Sequence, residues 1–220
     1  MSAASLVFGS ARFTAYAPEC LRLEWQKDGR FIDAGSLFAE DRPEPIPISS
    51  TIQGEICEID TGAIRLRYRN DGRPFCDGNV RAVIQRDSFL AVWHPGDADP
   101  RNLGGTLPTL DGFSRPRDPG DGLLSRNGWS FIDDSRTHLL VDGWVEPRPE
   151  HAGLDGYLFG YGLDYAAALR ALTRLAGPIP LPRRCTLGSW YSRWHKYTSR
   201  DFREIVREYE ARGFPLDILV

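Results

Sequence analysis

The stretch Ala63–Arg69, AIRLRYR, constrains the fold more than any other part of this chain. Ile64, Leu66 and Tyr68 alternate strictly with Arg65, Arg67 and Arg69. A helix would scatter both sets around its circumference. A strand sorts them onto opposite faces, one for a core and one, all arginine, for water. Leu21–Trp25 repeats the pattern, with Leu21, Leu23 and Trp25 set against Arg22 and Glu24. Further short runs at 81–84, 89–93, 138–145 and 156–162 continue the series, divided by turn segments such as DGRPF and PGDADPRN. In these turns Pro fixes φ and Gly accepts positive φ. Many short strands between such turns predict an antiparallel β-sandwich over residues 1–178, with little helix before Asp164.

The pattern changes near the end. DYAAALRALTRLAG, from Asp164 to Gly177, reads as a helix capped by Asp164 and stopped by Gly177 in the αL conformation. Tyr165, Leu169, Leu172 and Ala176 make its expected buried stripe. PIPLPRR (178–184) suits neither a helix nor a central strand, so a domain boundary is placed there, with 179–220 as a linker and the start of a second domain. A second helix is expected over 199–212, capped by Thr198 or Ser199, with Phe202, Ile205, Val206 and Tyr209 buried. Gly213 and Pro215 end it. LDILV then reads as a parallel strand covered on both faces. Such a strand needs neighbours, so the 220 residues are expected to be the N-terminal piece of a longer protein.

Composition removes several function classes. A net charge of −3, with basic residues scattered singly among acids, gives no footprint for nucleic acid or an anionic membrane. No apolar run approaches the ~20 residues of a membrane span, and the first residues lack the basic and apolar regions of a signal peptide. Cys20, Cys57, Cys76 and Cys185 show no CxxC or metal-finger spacing and read as free thiols of a reducing compartment. A cytoplasmic location is expected, with no metal and no cofactor.

Three segments carry a family resemblance: RNLGGTLPTLDG (Arg101–Gly112), DGLLSRNGWSFIDDS (Asp121–Ser135) and the long stretch from Pro180 to Val220 containing GSWYSRWHKYTSRDF. In this order and spacing they resemble glycoside hydrolase family 31, the retaining α-glucosidases and α-xylosidases, over about residues 40–220. The resemblance implies a galactose-mutarotase-like β-sandwich followed by the first elements of a (β/α)8 barrel. It implies an α-linked glucoside or oligosaccharide as substrate, with the catalytic carboxylates beyond residue 220 and no activity in this segment alone. The alternatives are a non-catalytic carbohydrate-binding sandwich, or a transglycosylase or α-xylosidase of the same family.

Retaining glycosidases need two carboxylates about 5 Å apart. The candidates within the chain are Glu55, Glu58 and Asp60, then Asp97 with Asp99, then Asp133 with Asp134, and turns or strand edges account for all of them. By resemblance Asp134 and Ser135 hold a loop by hydrogen bonds. The loop LLSRNGW is the expected substrate contact, because in the family it reaches over the barrel mouth. There Asn127 stands where members often carry Asp and would hydrogen-bond a sugar hydroxyl, while Trp129 would face the sugar ring or pack the loop. An Asn-Gly turn of type I′, with Trp129 in the core, is the competing reading. Trp190, Trp194 and His195 read as packing or as an aromatic platform, and His94 as a hydrogen-bonded turn residue. NLGGT lacks the Lys-Ser/Thr of a phosphate loop.

Overall fold

The computed structural model describes residues 2–40, 42–107, 109, 111–149 and 153–220. The chain starts with β1 (Ser2–Ala3), β2 (Ser5–Phe8), β3 (Ala11–Ala17), β4 (Cys20–Trp25) and the short β5 (Gly35–Ser36). Then come β6 (Ile48–Gln53), β7 (Ile56–Asp60), β8 (Ile64–Arg69), β9 (Val80–Arg86) and β10 (Phe89–Trp93). After a long loop follow β11 (Trp129–Asp133), β12 (Leu139–Val141), β13 (Trp144–Glu146), β14 (Leu154–Gly160) and the helix α1 (Tyr165–Ala176). The chain divides into two compact units, residues 1–178 and 179–220.

The first unit is mainly β and its sheets are antiparallel. Besides a small sheet ordered β13-β12-β5 there are two larger ones, one of six strands in the order β1-β6-β7-β8-β9-β10 and one of five in the order β11-β14-β4-β3-β2. Their facing sides share one core, with Phe13, Leu21 and Leu23 from the five-stranded sheet and Ile64, Leu66 and Tyr68 from the six-stranded one. The rings of Phe13 and Tyr68 meet across it at 5.6 Å. On β8 the burial alternates without a break, so the arginine row faces outward as its sequence dictates.

β4 departs from its sequence pattern. All six of its residues are buried, including Arg22 and Glu24, for which the alternation predicts water. The five-stranded sheet is covered on both faces, and the outer one holds a charge network. Arg22 donates twice to Asp155 on β14, from Nε and Nη2, each bond 2.8 Å long. Arg12 on β3 grips Glu24 in the same two-pronged way, at 2.7 and 2.8 Å. Arg148 bridges Asp155 at 3.1 Å and Asp134 at 3.0 Å. Burial alone would raise the Asp155 pKa, but the bonds and charges of Arg22 and Arg148 outweigh it and hold the group below its ordinary value. Asp134, wholly buried, is raised by burial against the bond from Ser36.

Two further expectations are corrected. The run 138–145 is not one strand: Asp142 and Gly143 turn at positive φ and fold it into the hairpin β12–β13. Helix α1 has the expected cap, with Asp164 accepting from the Ala167 N–H at 2.9 Å. Of the expected stripe Tyr165 and Leu172 pack half-buried against the core, but the fully buried face is shifted. Ala167, Ala168, Ala171 and Leu175 go inside, while Leu169 stays 47% exposed. Small alanines let the helix backbone lie close over the aromatic side chains of Tyr157, Phe159 and Tyr161. Gly177 ends it with φ 83 and ψ 171, so the chain leaves extended rather than through αL.

The second unit holds β15 (Trp190–Tyr191), α2 (Ser199–Ala211) and β16 (Ile218–Leu219). Thr198 and Asp201 form a reciprocal capping box at the start of α2. The two strands pair in parallel across the helix, Trp190 opposite Ile218 and Tyr191 opposite Leu219. The stripe expected on α2 is only partly covered: Phe202, Ile205 and Tyr209 are half-buried, none of the helix residues is fully buried, and Val206 is 37% exposed. Leu187, Trp194 and Phe214 lie open to solvent. Ending the chain after Pro178 is therefore expected to raise the soluble yield on expression. An unchanged or lower yield would show that these apolar groups are no liability.

Candidate functional site

The two ends of the long loop between β10 and β11 are tied to each other by a few polar side chains. Segment 101–103 runs against 124–126, with backbone bonds from Leu103 to Leu124, from Arg126 to Arg101, and a bridge between Asn102 and Ser125. Asn102 clamps both sides. Its Oδ1 accepts from the N–H groups of Gly104 and Gly122, and its Nδ2 donates to Asp99 and to the Gly122 carbonyl. The two backbones approach so closely that a Cβ on Gly122 would sit 2.2 Å from the Gly104 oxygen. Only glycine fits there.

Beneath this loop the Tyr161 hydroxyl, at the end of β14, accepts from the Ser125 N–H at 2.7 Å and donates to the Leu123 carbonyl at 2.8 Å. Burial pushes the phenol up, keeping it protonated and able to donate. The Ser125 hydroxyl donates to Asp99 at 2.8 Å and accepts from the Asn127 N–H at 2.9 Å.

Asn127 is half-buried, and its side-chain amide donates to Asp99 Oδ1 at 2.7 Å. The turn that carries it closes with a bond from Gly128 N–H to the Ser125 carbonyl. Gly128 takes φ 72 but Asn127 does not take positive φ, which excludes the type I′ turn. Asp99 thus receives three side-chain donors, from Asn102, Ser125 and Asn127. Aspartate at 127 would set two carboxylates within hydrogen-bond distance, and one of them would have to hold a proton. The amide relieves that conflict.

Trp129 follows at the start of β11. It is 6% exposed and packs into the core, its ring tilted against that of Trp93 at 6.5 Å. Trp93 also stacks on Phe131, with centroids 5.2 Å apart and planes 27° apart. Phe131 is 40% exposed. Together Trp93, Trp129 and Phe131 wall a cleft of about 510 Å³, whose polar rim includes Asp97, Asp99, Asp121 and Asp133. Asn127 stands beside this cleft and reaches it through Asp99. A flat apolar ring flanked by carboxylate acceptors is the chemistry that seats a sugar, ring against ring and hydroxyls against oxygens.

The other candidates lie elsewhere. Glu58 and Asp60 point outward from β7 beside Arg67 and Arg65. Asp97 accepts from the His94 N–H and pairs with its ring, so His94 is tied into its own turn. Asp133 accepts from the Ser135 N–H, and Asp134 belongs to the buried charge network. Trp190, Trp194 and His195 are in the second unit, where Trp190 donates to the Thr186 carbonyl and His195 packs on Tyr197. Sequence reasoning missed Asn102 and Tyr161. Each takes its decisive partner from afar, Asn102 from Gly122 twenty residues on and Tyr161 from Ser125 thirty-six residues back. Among the described residues no group of His, Cys, Asp and Glu is arranged to hold a metal, and no helix is long and apolar enough to cross a membrane.

No protein-family model and no curated protein matches the chain. Among solved structures its fold is similar to that of the glycoside hydrolase family 31 (GH31) dextranase of Flavobacterium johnsoniae. One such structure is a mutant form complexed with isomaltotriose and another is complexed with glucose. Each superposes with a TM-score of 0.53 at 17% identity and covers 96% of this chain but 31% of that chain. The chain therefore spans less than a third of the dextranase, and the likeness is one of fold.

Proposed function

We propose that this chain is the N-terminal part of a retaining α-glycosidase, an α-glucosidase acting on α-linked glucosides or oligosaccharides. The observation that carries the reading is the succession of architectures. A two-sheet antiparallel sandwich is followed by a strand–helix–strand unit with parallel pairing, and the whole resembles a portion of a GH31 dextranase. In this reading the second unit opens a (β/α)8 barrel, and the two reacting carboxylates belong to later strands. Asn127 gives a hydrogen bond to the outer sugar, Trp129 anchors the loop, and Phe131 offers its ring in the cleft. The dextranase complexes with glucose and isomaltotriose make a glucoside a reasonable ligand for this chain.

The test uses the longer protein that would contain the barrel, with residues 1–220 alone as a control expected to be inactive. Asn127→Ala should lower kcat/KM for a disaccharide by roughly fivefold to tenfold, the scale of one lost hydrogen bond, and leave an aryl α-glucoside nearly unchanged. Asn127→Asp should melt below wild type at neutral pH and recover as the medium is acidified, because one of the two facing carboxylates then takes a proton. Equal losses of Asn127→Ala on both substrates would reduce Asn127 to a turn residue. Hydrolysis by purified 1–220 would overturn the placement of the carboxylates.

A further inference from the structure

We propose that the outer face of the six-stranded sheet binds an acidic saccharide, whose carboxylate is held between Arg67 and Arg81. This inference is independent of the α-glycosidase reading. The face carries an open groove of about 640 Å³, lined among others by Thr51, Glu58, Asp60, Arg65, Arg67 and Arg81. Strand register arranges these side chains in rows. Thr51 lies opposite Glu58, Glu58 opposite Arg67, and Arg67 opposite Arg81. In the next row Ser49 faces Asp60, Asp60 faces Arg65, and Arg65 faces Val83.

Directly opposed side chains in a sheet stand about 5 Å apart at Cβ, and like charges there are unfavourable. Arg67 and Arg81 are such a pair, and among the described residues only Glu58 offsets it, from a distance. Glu58 stays 3.7 Å from Arg67 Nε, beyond a hydrogen bond. Arg81 is exposed and makes no hydrogen bond or ion pair among the described residues. Contrast Arg65, which bonds Asp60 at 2.9 Å. The chain as a whole carries a net charge of −3, yet on this face Arg65, Arg67, Arg69 and Arg81 outnumber Glu58 and Asp60. A carboxylate seated between the loosely paired Arg67 and the unpaired Arg81 would accept parallel N–H bonds from each and offset their repulsion.

The neighbouring groups narrow the ligand. Glu58 and Asp60 would repel an acidic peptide or a polyphosphate chain, but they accept hydrogen bonds from hydroxyls. The hydroxyls of Ser49 and Thr51 extend the same rim. No aromatic ring lines this groove, so a neutral sugar lacks the flat platform that Phe131 supplies in the other cleft. A ligand carrying one anionic group amid hydroxyls, such as a uronate unit of an oligosaccharide, satisfies both the arginines and the acids.

Calorimetric titration of the 1–220 chain with glucuronate- and galacturonate-terminated disaccharides tests this, with isomaltotriose and inorganic phosphate as comparison probes. Saturable uronate binding is expected, weakened at least about tenfold by Arg81→Ala and by Arg67→Ala, and weakened again on raising the ionic strength to about 0.15 M. Both arginines are exposed and repel each other, so the variants should melt at or slightly above the wild-type temperature, which is checked alongside. Absence of uronate binding overturns the proposal, as does uronate binding that neither substitution changes. Phosphate binding as tight as the disaccharides would reveal a bare anion site, and isomaltotriose binding lost in Arg81→Ala a neutral-sugar groove. Either result excludes an acidic-saccharide site.

Discussion

Arg22→Ala is expected to lower the stability of the sandwich by about 3–5 kcal/mol, the scale for removing one partner of a buried ion pair. For a unit of this size that is a fall in melting temperature of about 10 °C. The substitution strips Asp155 of both its 2.8 Å bonds and leaves a 3% exposed carboxylate with Arg148 alone. Glu24 keeps its two-pronged contact with Arg12 and softens the loss only locally. The deficit should depend on pH with a definite sign. In the wild type Asp155 is held below its ordinary pKa, so its contribution is present above about pH 4 and fades as pH falls through the native value. In the variant the buried carboxylate rises instead and protonates readily. The two melting curves should therefore converge below about pH 4. Replacing both Arg22 and Asp155 by apolar residues of similar size should recover much of the loss, since the cost lies in the orphaned charge. A constant gap across the pH range would show that packing, not charge, makes the contribution.

Trp93→Ala should cost about as much, roughly 3–5 kcal/mol, for a different reason. Trp93 is 1% exposed and stands between Trp129 in the core and Phe131 at the cleft. Its removal opens a cavity that neighbouring strands cannot close without breaking register. It also leaves Phe131 without the ring that fixes its plane, so sugar binding in the cleft should weaken together with stability. Phe131→Ala separates the two effects. With Phe131 40% exposed, its loss should affect melting far less and carbohydrate affinity just as much. If Phe131→Ala leaves affinity untouched, the cleft is not a sugar site, whatever Trp93→Ala does.

The alternating strands were legible because their period is a direct projection of the sheet onto the sequence. β8 and β10 lie where the alternation places them, and the arginine row of β8 faces outward. β4 shows where that projection loses information. A charged residue at every second position looks the same whether water or another charge awaits it. Only the fold reveals that Arg22 meets Asp155, 133 residues away. Helix α1 was legible in its extent and cap but not in its fully buried face, because alanine carries too little hydrophobicity to outvote leucine in a sequence pattern. Its small size is what close packing on the aromatic layer requires. At the candidate site, Asn127 and Trp129 stood out as residue types suited to sugars. The reach of Asn102 to Gly122 and of the Tyr161 hydroxyl to Ser125 spans twenty and thirty-six residues and leaves no local sign. The Asp142-Gly143 turn was written in the sequence and passed over, since the apolar run around it reads as continuous.

The pairing of β4 with β14 also bears on how the protein is made. A chain emerging from the ribosome presents β3 and β4 early, yet one edge of β4 has no neighbour until Leu154–Gly160 has been synthesised. At about 5–20 residues per second, the intervening segment takes on the order of ten seconds to appear. For that interval an apolar strand edge and an unpaired Arg22 stand ready to engage any other extended segment. The order of synthesis thus opens a window for mispairing that closes only when β14 docks.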